Sequence, residues 1–154
     1  MPDEALVHGT CVALDDAGVL ILGAPGAGKS DLALRLIDQP GLGLSGRLRT
    51  ALLVADDQVV IRRDGGLLIA SAPPAIAGKL EVRGLGIATV ATRGPVRLVL
   101  AVRLTDSSTI ERLPDLGKSR YEVLGLGLPL ALIDPGKASA PARLRAALDW
   151  LGYA

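Results

Sequence analysis

The chain reads as a mixed α/β domain with a largely antiparallel sheet and few helices, and three observations point there. Apolar runs of strand length recur along its 154 residues, at Leu6-Val7, Cys11–Leu14, Val19–Leu22, Leu52–Ala55, Val59–Ile61, Leu67–Ala70, Leu98–Val102 and Leu130–Ile133, with Gly, Asp or Pro between most of them. Helical periodicity shows only twice, over Ser30 to about Asp38 and over Ala142–Leu151. Strand and helix therefore do not alternate. A doubly wound parallel sheet needs a crossover helix after nearly every strand, and this chain lacks them. The third observation is Gly23-Ala24-Pro25-Gly26-Ala27-Gly28-Lys29-Ser30, a complete G-x-x-x-x-G-K-S spacing set where a strand gives way to a helix.

Element by element, Asp15-Asp16-Ala17-Gly18 has turn chemistry between the Cys11 and Val19 runs, so the strand feeding the glycine-rich loop closes a hairpin. The helix after the loop places Leu32, Leu36 and Ile37 on one side. Gln39–Gly46 is a glycine-rich connection expected to be mobile. With 49% hydrophobic and 21% charged residues the chain has the composition of one globular domain, expected to span 1–154. No Phe, two Tyr and one Trp leave the core to Leu, Val, Ile and Ala, and argue against a base-stacking nucleic-acid surface. A net charge of +1 adds no electrostatic reason for nucleic acid or anionic lipid as a partner. No basic-then-apolar leader is visible and no apolar run nears the ~18 residues of a membrane span, so a soluble, cytoplasmic protein without membrane or nucleic-acid partners is expected. The single cysteine, Cys11, cannot form an intrachain disulfide and reads as a small buried apolar residue.

The loop from Gly23 to Ser30 implies a bound nucleoside triphosphate or other polyphosphate. Its glycines let backbone N–H groups turn onto phosphates and the helix N-terminus adds positive potential. Lys29 reaches the β and γ oxygens, and Ser30 ligates magnesium. Leu52–Ala55 runs into Asp56-Asp57, where such proteins keep an acid near the metal and the reacting phosphate. Successive strand side chains face opposite ways, so the two acids share a role only if the strand turns there. A carboxylate beside the γ-phosphate accepts a substrate hydroxyl proton and makes a kinase; the plainer reading is a solvated strand end. Glu81 and Arg83 lie on one face if extended, followed by Gly84 and Gly86, and suit a cation site and phosphate neutralisation; by spacing alone they suit an exposed strand pair equally. His8 is the only imidazole, and Arg112 by itself is a loop arginine.

Taken together, His8-Gly9, the phosphate loop, Val54–Asp57, Leu80-Glu-Val-Arg-Gly-Leu-Gly-Ile-Ala-Thr89 and Glu111-Arg112-Leu113 resemble the HPr kinase/phosphorylase family, in the short alphaproteobacterial form that lacks an extra N-terminal domain. The segment around Glu81 is the most specific of these. The resemblance implies an ATP- and Mg2+-dependent kinase that phosphorylates a serine of the phosphocarrier HPr, or an HPr-like carrier. In many members inorganic phosphate also attacks the phosphoserine to release pyrophosphate. It implies that Lys29 stabilises the transferred group, Ser30 and Glu81 hold magnesium, Asp57 is base in one direction and acid in the other, Asp56 supports it, and His8 and Arg112 complete the site. The family fold, shared with phosphoenolpyruvate carboxykinase, sets a phosphate loop on a mixed sheet; its members often form hexamers, so a homo-oligomer is compatible with it. Three departures stand out: Asp31 where the family commonly has Glu, a longer stretch over Gln39–Thr50 that could reshape substrate access, and Leu128–Lys137 in place of a Pro-Val-x-x-Gly-Arg-Asn pattern. The rival readings are a small-molecule kinase or NTPase, which the Glu81 segment argues against, and a non-catalytic nucleotide or phosphate sensor.

Overall fold

In the computed structural model, which describes residues 3–153, the strands are β1 (Glu4–His8), β2 (Thr10–Leu14), β3 (Ala17–Leu22), β4 (Ala51–Ala55), β5 (Gln58–Asp64), β6 (Leu67–Ser71), β7 (Lys79–Val82), β8 (Gly86–Thr89), β9 (Val96–Leu104), β10 (Arg120–Val123) and β11 (Leu126–Ile133). The helices are α1 (Lys29–Asp38) and α2 (Ala140–Trp150). The main sheet runs β1-β5-β6-β9-β3-β2-β4, with β11 parallel to β9, β10 antiparallel to β11, and β7-β8 a separate hairpin. It is mixed, as the shortage of helices predicts. Only β3, β9 and β11 pair in parallel; the other strand pairs are antiparallel.

Alternation along the strands builds two cores. Val12, Leu14, Val19 and Ile21 face one way and pack with Leu32 and Leu36 of α1 and Leu144 and Leu148 of α2. Cys11, Ala13, Leu20 and Leu22 face the other way, under Val59 and Ile61 of β5 and Leu68 and Ala70 of β6. The helices thus cover one face, and the β5–β6 ribbon folds over the other. Burial pushes the Cys11 thiol pKa well above its ordinary value, as suits an inert core residue.

The expected hairpin is present: β2 and β3 pair antiparallel from Thr10↔Ile21 to Leu14↔Ala17, and the turn is only Asp15-Asp16, because Ala17 and Gly18 join the strand. Asp15 adopts φ 53°, a left-handed conformation that Asp tolerates. Helix α2 begins before the expected Ala142 because Ala140, Leu144 and Leu148 form one buried stripe and Pro141 sits in the first turn, where a missing N–H costs nothing. The short strands β7, β8 and β10 carry too few residues to show a period.

The Gln39–Gly46 connection, expected to be mobile, is pinned, as is the chain that follows it to Arg49. Leu44 N and Ser45 N donate to Asp149 Oδ2, Arg49 and Asp149 form a buried ion pair at 2.8 Å, and Arg145 Nη2 donates to the carbonyls of Leu36 and Gln39. The stretch docks on α2. Among the described residues, no helix is long and apolar enough to cross a membrane.

Candidate functional site

Strand direction gathers the site. Strands β9 and β11 run parallel to β3, and β4 shares their direction because two antiparallel steps, β4 to β2 and β2 to β3, separate them. The C-terminal ends of four strands therefore lie along one edge. They emit the 23–30 loop, the Asp56-Asp57 pair, the 105–119 segment and the Asp134–Gly136 turn.

The phosphate loop has the backbone its glycines permit, with φ 79° at Gly26 and 102° at Gly28. A Cβ on Gly23 would stand 3.1 Å from that of Ala27 and 3.4 Å from that of Leu104, so the loop is wedged against β9. Buried Lys29 donates Nζ to the carbonyls of Gly23 at 2.8 Å and Ala24 at 3.0 Å, which sets its ammonium inside the loop. No side chain caps α1, so its first N–H groups are available to an anion. Asp31 in that turn is held 3.1 Å from Arg35 Nε.

The chain does turn at the paired acids. Gln58 N donates to Asp56 O at 2.8 Å across Asp57, whose φ is 70°, and Gly9 N donates to Asp57 O at 3.0 Å. This kink lets Asp57 line the cleft while Asp56 stays buried beneath it. Asp56 is 6% exposed; its Oδ1 accepts from Thr10 Oγ1 at 2.9 Å and Ser30 Oγ at 2.7 Å, and its Oδ2 accepts from Glu81 N at 3.1 Å. Asp57 is 70% exposed, with its Oδ1 3.5 Å from His8 Nδ1. One acid is thus structural in its bonding and the other is free to meet substrate.

These groups line a cleft of about 660 Å3, with Lys29, Ser30, Asp57, Glu81, Arg83 and His8 on its walls. The β7-β8 hairpin brings Glu81 and Arg83 there because Glu81 N is tied to Asp56, 25 residues away in sequence. Gly23 and Ala24 shape the loop from behind, while Pro25, Gly26, Ala27 and Gly28 face the cleft. Arg112 does not line it. It is exposed in the segment after β9, and no residue of the 39–50 stretch borders the cleft either.

Among the described residues no group of three or more His, Cys, Asp or Glu side chains could hold a metal. Magnesium bound beside a nucleotide needs less, since phosphate oxygens and water supply most of its shell. Ser30 spends its proton on Asp56, which leaves its lone pairs for a cation, and Glu81 supplies the one carboxylate such a site requires. The donor set fits Mg2+.

Sequence reasoning missed Thr10, fully buried against Asp56, and the Pro135-Gly136 wall. Thr10 borders an apolar run with nothing to mark its hydroxyl. The Asp134-Pro135-Gly136 turn signal was visible, but its place over the loop was not. Pro135 lies where a Cβ on Gly28 would be 3.7 Å away.

The family described as HPr Serine kinase C-terminal domain matches residues 1–134. HPr kinase/phosphorylase 1 of Oceanobacillus iheyensis is 36% identical over 143 residues, covering 85% of this chain and 43% of the relative. The HPr kinase/phosphorylase of Exiguobacterium sibiricum is 34% identical over the same length and shares. That of Bacillus licheniformis is 42% identical over 124 residues, 78% of this chain and 36% of the relative. The chain thus spans less than half the length of the curated relatives it matches. The solved structure of the Hpr(Ser) kinase/phosphatase from Coxiella burnetii superposes with a TM-score of 0.77 at 24% identity, covering 96% of this chain and 95% of that one, and shows the same fold.

Proposed function

The chain belongs to the HPr Serine kinase C-terminal domain family, and on that premise we propose that it transfers the γ-phosphoryl group of ATP to a serine hydroxyl of HPr or an HPr-like carrier. The observation that carries this reading is the convergence of Lys29, Ser30, Asp57, Glu81 and His8 on one cleft, with Asp57 exposed and aimed into it. A pure sensor has no use for an accessible carboxylate beside its phosphate loop. We take residues 1–154 as one catalytic domain and, as the family likeness implies, place its phosphate loop and mixed sheet with the phosphoenolpyruvate carboxykinase type.

In this reading the loop N–H groups and Lys29 hold the β- and γ-phosphates, and Arg83 neutralises charge at the cleft wall. Ser30 and Glu81 hold Mg2+, which would offset the phosphate charge. Asp57 accepts the seryl proton as the hydroxyl oxygen bonds to the γ-phosphorus and the bond to the bridging oxygen breaks, releasing ADP. His8 steadies the Asp57 carboxylate. Arg112 sits on the exposed 105–119 segment rather than on the cleft wall, and its role of answering the charge that develops on the equatorial oxygens is taken from the family resemblance; Asp56 fixes Ser30 and β7. Catalysis is by positioning and charge neutralisation.

The test is transfer of label from γ-labelled ATP and Mg2+ to an acid-stable serine of a purified carrier. Asp57→Asn is expected to lower that transfer by roughly 10²–10⁴-fold while ATP affinity stays near parental. Parental turnover in this variant would remove Asp57 as the base. Phosphate release that ignores the carrier would favour an NTPase, and no transfer to any carrier would favour a sensor. A second arm supplies phosphorylated carrier and inorganic phosphate, and release of pyrophosphate would establish the reverse reaction named in the relatives.

A further inference from the structure

We propose that Asp134 is a positioning residue of the phosphoryl-transfer site, bracing the segment that carries Arg112 against the Pro135-Gly136 wall of the cleft. The proposal rests on the kinase reading and names the residue through which that site is assembled. Arg112 makes no hydrogen bond or ion pair of its own among the described residues, so its place is set by what holds the chain around it.

That hold begins where two parallel neighbours end. Strands β9 and β11 pair from Ala101↔Leu130 to Leu104↔Ile133 and leave the sheet side by side, with Thr105 N donating to Ile133 O at 3.0 Å. Asp134 then divides its carboxylate between the two departing segments. Its Oδ2 accepts from Ser107 N at 3.0 Å and from the Ser107 hydroxyl, which fixes the 3-10 turn Ser107–Thr109 just upstream of Arg112. Its Oδ1 accepts from Gly136 N at 2.9 Å, which closes the turn that presents Pro135. From the opposite side Arg35 of α1 donates Nη2 to Pro135 O at 2.8 Å. The wall is therefore tied to the phosphate-loop helix by Arg35 and to the Arg112 segment by Asp134. A carboxylate with donors from two loops holds both in one register, and truncation frees both.

The experiment compares Asp134→Ala, Arg112→Ala and the double variant in carrier phosphorylation, with amide hydrogen exchange on each protein. In Asp134→Ala we expect kcat to fall between about tenfold and a hundredfold, the cost of misplacing a transition-state contact, while KM for ATP stays within about twofold. In the Arg112→Ala background the same substitution should cost clearly less than it does alone, because one of the two elements it positions is gone and only the loosened Pro135-Gly136 wall still tells. Exchange should quicken in 105–119 and at Gly136 and spare the sheet. Asp134→Asn keeps one acceptor oxygen and should recover part of kcat. Parental kcat in Asp134→Ala, a full additional loss on top of Arg112→Ala, or a loss explained by lowered global stability would each overturn the proposal. A parental protein that phosphorylates no carrier would refute the kinase reading, and exchange alone would then decide the brace: quickening confined to 105–119 and the Asp134–Gly136 turn upholds it, and unchanged exchange overturns it.

Discussion

Replacing Asp56 by alanine removes one carboxylate and strands three donors. The bonds lost are from Thr10 Oγ1 at 2.9 Å, Ser30 Oγ at 2.7 Å and Glu81 N at 3.1 Å. Hydrogen bonds to a charged acceptor contribute about 1.5–3 kcal/mol each, but the three do not count equally. Ser30 and Glu81 border the cleft, where water can replace the lost oxygen. Thr10 is 0% exposed, and its hydroxyl would be left unpaired at a cost of about 1–3 kcal/mol. Relief of the buried charge offsets part of the sum. The net expectation is about 2–4 kcal/mol, which for a domain of this size lowers Tm by roughly 5–15 °C. Because Ser30 and β7 lose their common anchor, Mg2+-dependent ATP affinity should fall as well. Thermal melting by circular dichroism and titration with ATP plus Mg2+ measure the two effects. Thr10→Val supplies the control: if the Thr10–Asp56 bond carries the stability loss, the double variant melts no lower than Asp56→Ala. A melting point within about 2 °C of the parent, with unchanged ATP affinity, would refute the reasoning.

Two further expectations follow from the same structure. Lys29→Ala removes the ammonium that sits inside the loop on the Gly23 and Ala24 carbonyls, and should weaken ATP binding roughly tenfold to a hundredfold and lower transfer with it; unchanged affinity and turnover would count against the whole site. Cys11 is fully buried with its thiol pKa raised by desolvation, so a thiol reagent should leave the native protein unlabelled and react at one site in denaturant. Rapid labelling of native protein would show that the β5–β6 ribbon opens off the sheet.

Much of the site was legible because its parts are local. The phosphate loop is eight consecutive residues whose glycines, lysine and serine each have a chemical reason for their place, and the flanking strand and helix are read from their apolar periods. The mixed sheet followed from counting helices. What stayed open was the division of labour between Asp56 and Asp57, since alternation in a strand sends neighbours to opposite faces. The turn at Asp57 exposes its carboxylate and leaves that of Asp56 buried, and that turn depends on Gly9 N reaching Asp57 O from the link between β1 and β2. The Gln39–Gly46 connection was expected to be mobile for a related reason: its anchors, Arg145 and Asp149, lie about a hundred residues further along.

By itself, then, the sequence determined eight of the eleven strands, the hairpin at Asp15-Asp16, the phosphate loop and the residue types that surround it, because short-range sterics and periodicity act over a few neighbours. Tertiary structure alone decided which of those residues meet. Thr10 and Asp56 are 46 apart, Ser30 and Asp56 are 26 apart, and Arg35 and Pro135 are 100 apart. Each contact exists because β3, β4, β9 and β11 end along one edge, and strand order and direction are properties of the closed sheet that no local stretch of chain carries.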